Sequence, residues 1–144
     1  MHSSVADQSS HPTKALAISL WIGQILLAAL FGMAGFMKSF LPVPALVAQG
    51  INYASDLPLW LLRFIGAAEL SGAIGILLPA LTRIRPRLTP LAALGFTTIQ
   101  VLAICFHASR GELARALPLN LVLLSLSLFV LWGRGKRLPI RPRP

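Results

Sequence analysis

The chain of 144 residues is 56% hydrophobic and only 12% charged, and its thirteen Lys and Arg against four Asp and Glu leave a net charge of +9. A mean hydropathy of +0.75, with far less than the ~25% charge of a soluble domain, excludes a soluble globular protein and points to one small helical membrane bundle. The single cysteine, Cys105, excludes an intramolecular disulfide and CxxC thiol–disulfide chemistry, and it reads as a small apolar filler.

Residues 1–14 are polar and rich in Ser and His, which reads as a disordered tail. His2 and His11 are too few and too loosely placed for a metal site. The first predicted helix covers residues 15–38. The 23 residues from Ala15 to Met37 carry no charge and span about 35 Å, enough to cross a bilayer. A cleaved signal peptide is the rival reading. Its apolar region would be too long and no convincing cleavage site follows, so a retained helix is expected. Ala28, Gly32 and Gly35 recur at helical spacing and suit close helix packing. Residues 39–56 form the longest connection, with Pro42, Pro44, Gly50 and Asn52; Pro44 could open a short interfacial helix through Ile51. Tyr53 and Trp60 suit a membrane–water interface.

The second predicted helix, residues 57–81, holds the chain's most informative stretch, because Arg63 and Glu69 lie inside it. Each charge costs about 2.5–3.5 kcal/mol near a helix centre. The twelve Leu, Ile and Phe of this stretch recover about 0.3–0.6 kcal/mol each. The balance is near zero, so this helix needs neighbours. Gly66, Gly72 and Ala73 surround Glu69 at helical spacing, which turns it toward another helix rather than toward lipid. Arg63 lies six residues from Glu69, about 240° around the helix, so the two do not share a face.

A basic loop from Thr82 to Arg87 leads to a third helix at residues 88–108, with Gln100, Ala103 and His107 on one face. A short polar loop leads to a fourth at residues 116–132, with Asn120, Leu124 and Ser127 on one face. Residues 133–144 read as a basic, Pro-rich unfolded tail near lipid headgroups. The fold class is therefore all-α, a transmembrane four-helix bundle. Nine of the basic residues fall on the side of the termini and three, Lys38, Arg110 and Arg115, on the other, which places both termini in the cytoplasm. This placement at span ends assigns the positive charge to membrane lipids and insertion, not to nucleic acid.

Helix rise then sorts the polar groups by depth. Lys38, Arg63, His107 and Asn120 form an upper layer within about 9 Å of the outer ends of their helices. Glu69, Gln100 and Ser127 form a deeper layer at about 12–18 Å. The cytoplasmic half offers almost no comparable group. The asymmetry predicts a polar cavity opening outward and floored by Glu69, with Arg63, Lys38, His107, Gln100 and Asn120 as further ligand contacts. A plainer reading stands beside it: interhelical glue worth about 0.6–2 kcal/mol per group, with Arg63 and Lys38 snorkelling outward. No set of His, Cys and carboxylate has metal-ligand spacing, and His107 as the one spanning His excludes a bis-His haem within one chain.

Three segments carry a family resemblance: GMAGFMKSF, closed by Lys38; LRFIGAAELSGAIGILLPALTR, with Arg63, Gly66, Glu69 and Gly72; and the third-helix end at His107 followed by a last helix with Asn120. Over roughly residues 18–135 the chain resembles the DoxX-like family of small four-helix membrane proteins. The resemblance implies a bundle in the bacterial inner membrane and a role as partner in a membrane redox complex or as an assembly factor. The resulting expectation is an accessory subunit of a redox or stress-response complex, without a catalytic motif of its own. Its ligand would be quinone- or lipid-like, and quinone is the one cofactor this raises. A protein partner and a homodimer are the expected associations. A small proton-coupled transporter, or a structural protein without ligand, are the alternatives.

Overall fold

A computed structural model describes residues 10–144, with side chains from residue 13. Four long helices dominate it: α1 (Ser10–Phe40), α3 (Leu59–Thr82), α4 (Leu88–Ser109) and α5 (Leu113–Trp132). A short helix α2 (Val43–Ala48) and a 3₁₀ turn (Asn52–Ser55) lie between α1 and α3. All four long helices are long and apolar enough to cross a membrane. The chain is thus an all-α, multi-pass membrane bundle, and with four spans its described ends lie at the same end of the bundle.

The boundaries of α2 and α3 have local causes. Pro44 sits in the first turn of α2 and Pro58 at the N-cap of α3, where a missing N–H costs nothing. α3 stops at Arg83, which turns left-handed at φ 58°, and Arg85 follows at φ 48°, so the loop to α4 is tight. The first helix begins at Ser10, so residues 10–14 are helical where a tail was expected. The rest of that expected tail, residues 1–9, lies outside the described residues. At the other end, residues 133–137 continue α5 as a π-helical turn and bury Arg134, instead of forming an unfolded tail.

The helices form a ring, α1–α3–α4–α5, in which α1 and α3 share the most extensive interface and α1 and α5 the least extensive of the neighbouring four. The small residues of α1 explain the first. A Cβ on Gly35 would lie 2.7 Å from the Gly66 carbonyl oxygen, and one on Gly66 would lie 2.8 Å from the Ser39 nitrogen. The two backbones therefore touch. In the ring's centre Phe31 and Phe96 stack with centroids 3.8 Å apart, and Phe96 lies directly on Gly72. Leu27, Ile76, Ala93 and Val130 complete this core. A second, smaller core joins Leu46 of α2, Ala54 of the 3₁₀ turn and Leu62 of α3, so the α1–α3 connection folds over the bundle as a cap. Large apolar side chains such as Phe64, Leu78 and Leu128 face outward, as a lipid-solvated bundle requires.

Candidate functional site

Under that cap, α1 and α3 bring their charges together. Lys38 Nζ donates to Glu69 Oε1 at 2.7 Å and to Oε2 at 2.9 Å. Lys38 is 7% exposed and Glu69 4%. Lys38 thus turns inward to Glu69 rather than snorkelling out, and the two predicted depth layers merge here. The Gly35–Gly66 contact is the cause: it slides the end of α1 down to the level of Glu69. The connection after Phe40 then covers the gap above it.

Arg63 takes a different place from the one expected of a ligand contact. Its Nη1 donates to the Lys38 carbonyl at 2.6 Å, and it does not line the cavity beside Glu69. A guanidinium on a carbonyl near a helix C-terminus satisfies an orphan acceptor and suits the helix dipole. Arg63 therefore secures the backbone that carries Lys38.

The ion pair borders a cavity of about 280 Å³ in the middle of the ring. Glu69 comes from α3, Gln100 and His107 from α4, Asn120 from α5 and Lys38 from α1, so five of the six expected residues line it. Gln100 and Asn120 are both buried, and among the described residues Gln100 Oε1 and Asn120 Nδ2 have no hydrogen-bond partner. A buried unpaired polar atom costs about 1–3 kcal/mol. Both amides therefore hold unused capacity beside a cavity. Ser127, expected in the same deep layer, donates instead to the Leu123 carbonyl of its own helix at 2.7 Å.

Two residues join the site that sequence reasoning placed elsewhere. Tyr53, expected at the interface, lines the cavity and packs edge-on with the His107 ring, centroids 5.7 Å apart. Arg115, expected only in a loop, lines it from α5. Tyr53, His107 and Arg115 also line a larger vestibule of about 440 Å³ between the cap and the α4–α5 loop. The cavity therefore continues toward the end of the bundle away from the termini.

A charged cluster edges this vestibule. Arg110 donates to Asp56 at 2.6 Å and to Glu112 at 3.2 Å, and His107 Nδ1 lies 3.4 Å from Glu112. Hydrogen bonds to Glu112 and then Asp56 raise the Arg110 pKa. The hydrogen bond from Arg110, with a smaller one from His107, holds the Glu112 carboxyl below its ordinary value. Asp56 belongs to the cap and Arg110 to the α4–α5 loop, so this pair ties the two across the vestibule.

The opposite half of the bundle is less empty than expected. Gln24, fully buried in α1, donates from Nε2 to the Ile76 carbonyl at 2.8 Å and accepts from Arg134 Nε at 2.6 Å. Arg134 also lies 5.3 Å from the Trp21 ring. The available signal was Gln24 itself, an amide within the apolar run of the first span. Among the described residues no group of three or more His, Cys, Asp or Glu could hold a metal ion.

A ring of four lipid-facing helices closed around a buried ion pair defines a small integral membrane protein of the multi-pass type. The chain belongs to the DoxX-like family, whose model matches residues 22–130. That span includes the Lys38–Glu69 pair and the cavity, and stops short of Arg134. No curated protein and no solved structure matches the chain.

Proposed function

We propose that this protein is an accessory subunit of a membrane redox or stress-response complex, whose cavity takes a quinone- or lipid-like amphiphile. It sits in the bacterial inner membrane with both termini cytoplasmic, so the vestibule faces outward. One observation carries the reading: the Lys38–Glu69 pair lies in a cavity that also holds the unpaired Asn120 Nδ2 and Gln100 Oε1. Packing glue would pair those atoms with each other or with backbone. Ligand pockets instead keep a few convergent polar groups on an apolar wall.

A quinone fits this donor set. Asn120 Nδ2 and Lys38 would hold its carbonyl oxygens, and Gln100 Oε1 would accept from the hydroxyl of the reduced form. Such a group would supply electron transfer to a partner subunit. The transporter alternative has less support, because Lys38 occupies both oxygens of Glu69.

Native mass spectrometry in nanodiscs, on wild type and Glu69→Gln, tests the reading. A small-molecule or lipid adduct in wild type that the variant loses is expected. Identical spectra, with unchanged partner pull-down, would leave only a structural role for the pair.

A further inference from the structure

Two facing stripes line the cavity. On α1, Leu30, Ala34 and Lys38 recur at i, i+4 and i+8, and on α5 Arg115, Leu119 and Leu123 do the same. The two helices run antiparallel. Lys38 and Arg115 therefore stand at the vestibule end, and Leu30 and Leu123 about 12 Å nearer the middle of the span. The wall is cationic at one end and apolar at the other, which is the order of a lipid in the adjacent leaflet. Leu30 is 36% exposed and Leu119 58% exposed, although both line the cavity. The cavity thus reaches the bilayer between α1 and α5, where the helix packing is least extensive.

The charges give the sign of the headgroup. Glu69 is held by Lys38, while Arg110 serves Asp56 and Glu112. Among the described residues Arg115 has no ion-pair partner, yet it lines both cavity and vestibule. Asn120, 9% exposed, carries an amide nitrogen without an acceptor. A free cation and a free N–H donor both call for an anionic oxygen. The volume of about 280 Å³ lies just under the usual range of small-molecule sites, so it takes a headgroup and the first part of one chain, the rest of the chain lying in the seam.

We propose that the cavity takes a single-tailed anionic amphiphile from the bilayer through the α1–α5 seam, its headgroup on Arg115 and Asn120 and its tail running from beside Leu119 down past Leu30. This deepens the functional reading above and rests on the cavity being a ligand site. The anion has two natural sources, a fatty-acid carboxylate and a lysolipid phosphate. The unpaired Gln100 oxygen favours the lysolipid, whose glycerol hydroxyl can donate to it.

The test uses the full chain in phosphatidylcholine nanodiscs, photolabelled with a palmitate analogue carrying a mid-chain diazirine and mapped by peptide mass spectrometry. Label is expected on α1 and α5 around Leu30 and Leu119. Excess palmitate or lysophosphatidylglycerol displaces it, and the better competitor names the source. Hexadecanol and decylubiquinone do not displace it. Arg115→Gln, a change at an exposed position, lowers labelling roughly tenfold or more, as loss of a charge-assisted contact requires; Arg115→Lys keeps most of it. Label that is unchanged in Arg115→Gln, or displaced equally by hexadecanol or decylubiquinone, overturns the anionic headgroup. Label spread over outer faces such as Phe64 and Leu78 overturns the seam. A Glu69-dependent adduct in native mass spectrometry without seam labelling upholds the functional reading and rejects this proposal.

Discussion

Lys38 and Glu69 allow a double-mutant cycle with a definite sign. Both side chains are less than one-tenth exposed, and the ammonium reaches both carboxylate oxygens within 2.9 Å. Removing one partner of such a pair costs about 3–5 kcal/mol, whereas replacing both with uncharged groups of similar volume is often neutral. Lys38→Met keeps most of the stem's volume and strands the carboxylate. Glu69→Gln keeps the shape and strands the ammonium. Each single variant should lose about 3–5 kcal/mol, on the order of 10 °C or more in Tm. The double variant Lys38→Met/Glu69→Gln should be more stable than either single one. Reversible unfolding in mixed micelles, followed by circular dichroism, reads all four corners. Losses that add to within about 0.5 kcal/mol would mean that the two charges do not sense each other, and the site geometry described above would be wrong.

Gly66→Ala should cost about 1–3 kcal/mol or more through overpacking, because the new methyl meets the backbone at Ser39 and Gly35. Gly95→Ala, with open space around it, should stay within about 0.5 kcal/mol; equal thermal shifts would refute the close α1–α3 contact. Gln24→Leu strands Arg134 Nε, so thermal unfolding should show a loss of about 1–3 kcal/mol, partly restored in Gln24→Leu/Arg134→Leu. The Glu112 carboxyl is lowered from 4.5 in the fold, so its stabilising contribution is complete above 4.5 and fades as pH falls through the lowered value. Amide exchange at residues 110–112, corrected for intrinsic rates, should quicken only on that acid side. Arg110→Gln should bring the onset up toward 4.5, and an unmoved onset would remove Arg110 as the cause.

Much of the site was legible because each helix carries its own pattern. Glu69 among Gly66, Gly72 and Ala73 had to face another helix, and Gly32 and Gly35 announced close packing. His107, Gln100 and Asn120 sat on inward faces of their helices, and the structure brings them to one cavity with Lys38 and Glu69. Periodicity gives the direction of a side chain around its own axis. It does not give how far one helix slides along the next. For that reason helical spacing alone puts Lys38 and Glu69 in separate layers and makes Arg63 a ligand contact, whereas in the bundle Arg63 binds the Lys38 carbonyl. The Gln24–Arg134 bond joins residues 110 positions apart, a pairing that no local spacing encodes.

The amino-acid sequence by itself determined the membrane class, the four spans, their order and the face each presents inward, because hydropathy and helical period belong to single segments. Only the tertiary structure decided which polar groups meet: the backbone contact of Gly35 with Gly66 sets the offset of α1 against α3, and the folded cap over it closes the top. Arg115 shows the difference most plainly. In the chain it is one loop cation among several; in the bundle it is a cation at the head of a cavity, without an ion-pair partner among the described residues, because register is a property of a pair of helices and not of either one.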